Sequence, residues 1–367
     1  MKLVPSSDTI APLILLTALI LFMLLSPQAK SGQQSAGDFT ALLIITDFGT
    51  DVDDAQAFAY LAKNKAQHKG KNLTIAGIIS TGYIPEIRAK SIELFLNLYG
   101  ITAPIAIGKP EKTEQEIAAY SILHSLNGTP YETTLLEKLG SYPPNAQMWK
   151  NMQHSTYCNK YTSPGRLIDS LLRLYPNNLR VVILAQATQF SNYLADIEKR
   201  GRPTPQFHSI YIQGQCDTST LRTTGRIQPN FAAFNLREDS SATYKLFELQ
   251  TTTPFIFLSK HATYPLAFTK EETNLIGRAG YPGDYLKTAA YTGLQSFLKR
   301  DPGTFYKIFK ATSLDSLKTI NNPYDLLTVI AINSPRLFAA DTVYVGKIPH
   351  ILIDRHVPTV PKEKFWE

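Results

Sequence analysis

Cysteine is nearly missing from this chain of 367 residues. Only Cys158 and Cys216 occur, which excludes a disulfide scaffold and a cysteine-built zinc or iron–sulfur site and leaves one bridge at most. Charge is sparse as well: 18% of residues are charged against 44% hydrophobic, a balance that excludes a disordered chain. Long apolar runs are lacking beyond a single one near the start, so a multi-span membrane protein is excluded too. Basic residues number 37 against 30 acidic, yet no run of Lys or Arg concentrates them. Nucleic-acid binding needs a clustered basic footprint, so the excess reads as a solubility term and no nucleic-acid partner is expected. A G-x-S-x-G elbow is also lacking, which removes support for Ser-His-Asp catalysis.

The one apolar run, Ile10 to Leu25, lies behind Lys2 and ahead of Ser26-Pro27-Gln28-Ala29. A spanning helix wants about 20 apolar residues and the apolar core of a signal peptide about 7–15, and this run falls between them. The reading favours an export signal over residues 1–29, cleaved between Ala29 and Gly37, with an uncleaved membrane anchor as the alternative. Either one implies a periplasmic, secreted or membrane-anchored protein. Residues 30–40, rich in Ser, Gly and Gln, form a flexible leader, and residues 41–367 form one α/β domain.

Within that domain strand-like and helix-like segments alternate. Ala41–Thr46, Leu73–Ser80, Ile105–Gly108, Arg180–Ala185, His208–Gln213 and Pro254–Leu258 read as strands. Helical patterns follow Asp54 and cover Ile87–Tyr99, Pro164–Leu174, Ser191–Lys199 and Ser240–Gln250. Such alternation predicts right-handed βαβ units and a mostly parallel central sheet flanked by helices. The stretch Glu111–Tyr161 is irregular, as lids and specificity loops at strand ends are.

The sharpest signal is Thr46-Asp47-Phe48-Gly49-Thr50-Asp51-Val52-Asp53-Asp54-Ala55, with four carboxylates between a buried strand and a helix. Capping that helix would employ one or two of them; a third and fourth add repulsion unless a cation compensates. An all-oxygen donor set without Cys or His selects a hard cation, Ca²⁺ or Mg²⁺. The loop is not an EF-hand, because Val52 and Phe58 occupy the positions that need Gly and Glu. A haloacid-dehalogenase-type phosphatase would need Asp where Gly49 stands.

This segment is similar to the N-terminal signature of the nucleoside hydrolase (inosine-uridine-preferring) family, Asp-x-Gly-x-Asp-x-Asp-Asp-Ala. Later landmarks resemble the family in order: Val181–Asn192, then Ala233-Phe234-Asn235 with Asp239, then Pro323-Tyr324-Asp325 opening an apolar helix. The resemblance implies a Rossmann-like nucleoside hydrolase architecture and Ca²⁺ ligation by Asp47, Asp54, Asp325 and the backbone carbonyl of Ala187. Asp53 would be the base that activates a water held by the metal, and Asn235 a sugar contact; apart from the resemblance, Tyr83 and Tyr324 offer aromatic walls to a pocket for a flat base. The departures concern sugar and base recognition. Ala233 stands where the family has Glu, Ile227 and Gly82 fall where it has Asn, Thr188-Gln189 replaces a Gly-Gly turn, and Tyr324 replaces a histidine that helps protonate the leaving base. A tyrosine hydroxyl, ordinarily near 10, is a weak acid at neutral pH but a competent hydrogen-bond donor.

The expected activity is therefore metal-dependent hydrolysis of an N-glycosidic bond in a ribonucleoside or related glycoside. The alternative is a Ca²⁺-dependent sugar- or glycoside-binding protein on the same fold that has lost or altered catalysis. A homo-oligomer is compatible with either. His124 lies in the irregular stretch where some members of the family place an active-site histidine, though a solvated loop histidine is the favoured reading; His208 and His261 border strands and carry no partner pattern.

Overall fold

The protein is described by a computed structural model that covers residues 39–49, 52–67, 72–82, 85–109, 162–278, 283–300, 302–357 and 359. The N-terminal apolar run, Tyr83, His124, Cys158 and the irregular stretch fall outside these residues. Among the described residues no helix is long and apolar enough to cross a membrane.

An eight-stranded sheet runs through the molecule in the order β11-β12-β8-β5-β4-β1-β2-β3. Its strands are β1 (Phe39–Thr46), β2 (Asn72–Ser80), β3 (Ile105–Ile107), β4 (Leu179–Ile183), β5 (Ser209–Gln213), β8 (Phe255–Leu258), β11 (Phe338–Val345) and β12 (Ile348–His356). All neighbours are parallel except β11, which folds back antiparallel on β12. The small pairs β6–β7 (Gln215–Asp217 with Gln228–Asn230) and β9–β10 (Phe268–Thr269 with Thr319–Asn321) stand apart from it. This is the mostly parallel, helix-flanked sheet predicted from the alternation of segments.

β1 shows why the sequence reads as a continuous apolar run. Ala41 to Ile45 are all 0% exposed, and successive side chains enter opposite faces. Leu42 and Ile44 join a core with α1 (Asp53–Gln67) and α2 (Pro85–Asn97). Ala41, Leu43 and Ile45 join the other, with α3 (Pro164–Leu174), α4 (Thr188–Lys199) and α5 (Ser240–Phe247). The first core also takes α6 (Tyr324–Asn333), whose mean hydropathy is high because almost its whole length is buried.

From β1 the chain winds outward to β2 and β3, then returns to β4 on the other flank of β1 and continues to β5 and β8. The reversal opens a crevice at the carboxyl ends of β1 and β4, the place where open α/β sheets bind ligands. Two departures from the sequence expectation stand out. The end of Ser240–Gln250 tightens into a 3₁₀ turn, Glu248–Thr251, and the β11–β12 hairpin carries no strand signal in the sequence. Its first strand is exposed at half of its positions and buried only at its two ends, so it lacks the apolar run that marks the central strands.

Candidate active site

The acidic loop begins where β1 ends and is pinned from three directions. Phe48 is 0% exposed and packs on Phe58 and Phe95 at ring distances of 5.8 and 5.5 Å, which places one side chain of the loop inside the first core. The Phe48 carbonyl accepts a hydrogen bond from Nη1 of Arg88 at 3.1 Å, and Arg88 itself is fully buried on α2. Gly49 turns the chain with φ of 96°, a left-handed conformation that favours glycine. A further close approach occurs at Gly82, where a Cβ would lie 3.3 Å from both Arg88 Nε and Asp47 Cβ. The buried guanidinium thus stands beside the loop that carries the carboxylates, where opposite charge offsets the cost of grouping them.

Asp53 and Asp54 open α1 and point to different neighbours. Asp54 accepts a hydrogen bond from the Thr46 hydroxyl at the end of β1. Asp53 Oδ2 accepts the backbone N–H of Asp325 at 3.1 Å, so it caps the N-terminus of α6 from a distant part of the chain. Pro323, the residue before that helix, supplies no side-chain cap. Asp325 follows in the first turn. All three are buried, and each offers an oxygen within 4.8 Å of the others. Three buried carboxylate oxygens so close together match the donor chemistry of a hard divalent cation.

These residues line a cavity of about 260 Å³ together with Asp47, Tyr324, Asn235, Phe234, Ala233, Gly214, Gln213 and Lys260, among others. Six of the eight site residues expected from sequence (Asp47, Asp53, Asp54, Asn235, Tyr324 and Asp325) therefore share one cavity wall. Asp47 lines it without belonging to the close carboxylate trio. Tyr83 and Asp51 lie outside the described residues. Ala187 is buried at the N-cap of α4, and its carbonyl accepts the Ser191 N–H at 2.9 Å; a carbonyl has a second lone pair for another partner.

Asn235 is held by its amide nitrogen, which donates to the Leu184 carbonyl at 2.7 Å and to Gln213 Oε1 at 3.1 Å. That orientation presents its carbonyl oxygen as an acceptor. Asp239 accepts from the Thr188 hydroxyl at 2.7 Å and from the Ala242 amide at 2.9 Å, so it caps α5 and ties it to the start of α4. Thr188-Gln189, in place of two glycines, has a structural use: Gln189 exchanges two hydrogen bonds with the backbone of Lys109, at 2.8 and 3.1 Å. Ile227 is 1% exposed in the second core, which removes that position from sugar recognition.

Several cavity residues carried no sequence signal. Lys260 comes from a four-residue helix after β8 (Lys260–Thr263) and Gln213 from the last position of β5; Arg88, which backs the acidic loop from α2 without lining the cavity, carried none either. Phe234, 53% exposed at the cavity, carries Arg237 over its ring at 5.6 Å. Tyr324 meets Tyr264 edge-on at 6.3 Å, and Tyr264 in turn meets His261 at 6.2 Å. Cys216 is a free thiol. Burial first, then the carboxylates of Asp354 and Asp217, push its pKa up to about 12, so it is not a nucleophile near neutral pH.

No protein-family profile and no curated protein sequence matches the chain. Solved structures do. The type III effector XopQ, in complex with adenosine diphosphate ribose, is 23% identical with a TM-score of 0.69, over 90% of this chain and 92% of that one. The effector XOO4466 is 23% identical with a TM-score of 0.67 over the same shares. A purine-preferring ribonucleoside hydrolase from Gardnerella vaginalis is 15% identical with a TM-score of 0.57, over 89% of this chain and 95% of that one. Sheet order, the carboxylate cavity at its carboxyl edge and these likenesses agree on one architecture: the chain has the nucleoside hydrolase fold, in a divergent sequence.

Proposed function

We propose that the protein hydrolyses the N-glycosidic bond of a ribonucleoside or a closely related ribosyl compound. The observation that carries this reading is the buried trio Asp53, Asp54 and Asp325 in one cavity with Asn235 and Tyr324. A hard divalent cation, Ca²⁺ by preference, held by Asp47, Asp54, Asp325 and the Ala187 carbonyl, would supply Lewis acidity and a grip on the sugar's vicinal hydroxyls.

The chain's own residues do the rest. Asp53 is fixed in rotation by the Asp325 amide and accepts the proton of the attacking water as its oxygen bonds to the anomeric carbon. The carboxylates around it stabilise the positive charge that grows on the ring. Asn235, locked through its amide nitrogen, accepts from a sugar hydroxyl. As the carbon–nitrogen bond breaks, the Tyr324 hydroxyl donates a hydrogen bond to the departing base, and solvent completes its protonation.

The test is reducing-sugar release from purine, pyrimidine and nicotinamide ribosides by the full chain with Ca²⁺, beside Asp53→Ala and chelator controls. Release that both controls abolish supports the reading. Tight calcium binding with no release from any riboside refutes it and favours the second reading, Ca²⁺-dependent ribosyl binding without turnover. Ala233 and Tyr324, at two positions where the resemblance expects catalytic-site polarity of another kind, favour that alternative, as does the adenosine diphosphate ribose held by the effector of the same fold.

A further inference from the structure

We propose that the cavity takes a ribosyl ligand bearing a phosphate group and that Lys260 is the residue that selects it; this rests on the reading of the cavity as a ribosyl site. Lys260 lines the same cavity as Asp47, Asp53, Asp54 and Asp325 and is half-buried. An ammonium sharing a cavity with four carboxylates is expected to close onto one of them, because partial burial strengthens the attraction. Elsewhere in the molecule lysines do so: Lys90, Lys245 and Lys270 reach carboxylates at 2.6 to 3.4 Å. Among the described residues Lys260 makes no ion pair, so its ammonium belongs to the cavity lining without a carboxylate within ion-pair reach.

The backbone beneath it is fixed. Ser259 Oγ accepts the His261 amide at 3.2 Å, and the Lys260 carbonyl accepts the Thr263 hydroxyl at 2.8 Å. The four aspartates are the only carboxylates on the described lining, and at Gly214, Ala232 and Ala233 the wall offers nothing that repels an anion. A second cation neighbours the lining, since Arg237 lies over the ring of the lining residue Phe234 and forms no ion pair among the described residues. A neutral nucleoside leaves the Lys260 charge unanswered, whereas a phosphate oxygen gives it a charge-assisted hydrogen bond.

Titration calorimetry on the full chain with calcium tests this with two probe pairs, adenosine against adenosine 5′-monophosphate and ribose against ribose 5-phosphate. In the wild type the phosphorylated member binds roughly tenfold to a hundredfold more tightly, the worth of one charge-assisted bond, and the advantage shrinks as salt rises. Lys260→Met brings the ratio of the two affinities near one, while Lys260→Arg keeps most of the advantage; circular dichroism verifies that both variants are folded. Equal affinities in the wild type, or a ratio unchanged in Lys260→Met, overturn the proposal. Nucleoside binding without a phosphate preference sinks this proposal alone; no binding of any probe sinks the ribosyl reading with it.

Discussion

Replacing Asp53 by Asn should stabilise the protein without metal and destabilise it with metal, an inversion that follows from the carboxylate trio. At the 4.8 Å that bounds their oxygens, two unit charges in an effective dielectric of about 20 repel by about 3.5 kcal/mol. Asp53 takes part in two of the three pairs, about 7 kcal/mol if every charge is present. Proton exchange with solvent sets a ceiling on that sum: neutralising one ordinary carboxylate at about pH 7 costs about 4 kcal/mol. The amide removes this burden yet keeps an oxygen to accept the Asp325 N–H, so the cap on α6 survives. In chelator, Asp53→Asn should therefore melt higher than the wild type, by up to about 4 kcal/mol of stability. In excess calcium the order reverses, because the wild type gains more from a cation it binds more tightly. Urea and thermal unfolding by circular dichroism, each with chelator and with calcium, measure both halves. A variant less stable than the wild type in chelator would refute the reasoning, since it would mean that protein groups already neutralise the trio.

Arg88→Met should weaken calcium binding by at least about tenfold in calorimetry, because a charged hydrogen bond worth about 1.5–3 kcal/mol holds the acidic loop through the Phe48 carbonyl. Arg88→Lys should recover little, its point charge lacking the planar fork; tighter binding in Arg88→Met would show that the guanidinium acts only as a competing charge. Stability should also fall in acid through His350, which is fully buried, accepts the Phe255 amide at Nδ1 and donates from Nε2 to the Gln250 carbonyl. Burial lowers its pKa from the ordinary 6.5, with the Gln250 carbonyl pulling the other way. The unfolded chain therefore holds more protons, and the contribution is intact above about 6.5 and lost as pH drops below it, by at most about 1.4 kcal/mol per pH unit. His350→Gln should flatten that acid limb of the urea midpoint against pH; an unchanged limb would assign it to other groups.

How legible the site was depended on how locally each residue announced itself. Four aspartates in a short loop between an apolar strand and a helix have few peaceful explanations, so the acidic loop could be read directly. Asp325 was legible because it opens an apolar helix in a recurring context, and Asn235 because it closes a short motif. Arg88 was not: one arginine in a helical pattern looks like a solvated face until the fold brings Phe48 over it. Lys260 was invisible for a similar reason, since a brief turn after β8 has no periodicity to mark it. The β11–β12 hairpin escaped because an exposed edge strand alternates too weakly to be separated from loop. Thr188 and Gln189 looked like decay of a glycine turn, and only the partners Asp239 and Lys109 reveal side chains holding what a tight turn would otherwise form.

The hydrogen bond from the Asp325 amide to Asp53 joins residues 272 positions apart in sequence, and this separation gives the site a place in time. During synthesis the acidic loop, β1 and α1 emerge early, but a contact of such long range can close only after nearly the whole chain exists. Until then Asp53 has no α6 to cap, and Asp47, Asp53 and Asp54 lack the fourth aspartate of the cavity. Cation capture is therefore a late event, and it reports that both ends of the sheet's wiring have met. A nascent or truncated chain that ends before Tyr324 would carry the most recognisable sequence signature of the protein and yet be unable to assemble the centre that the signature announces.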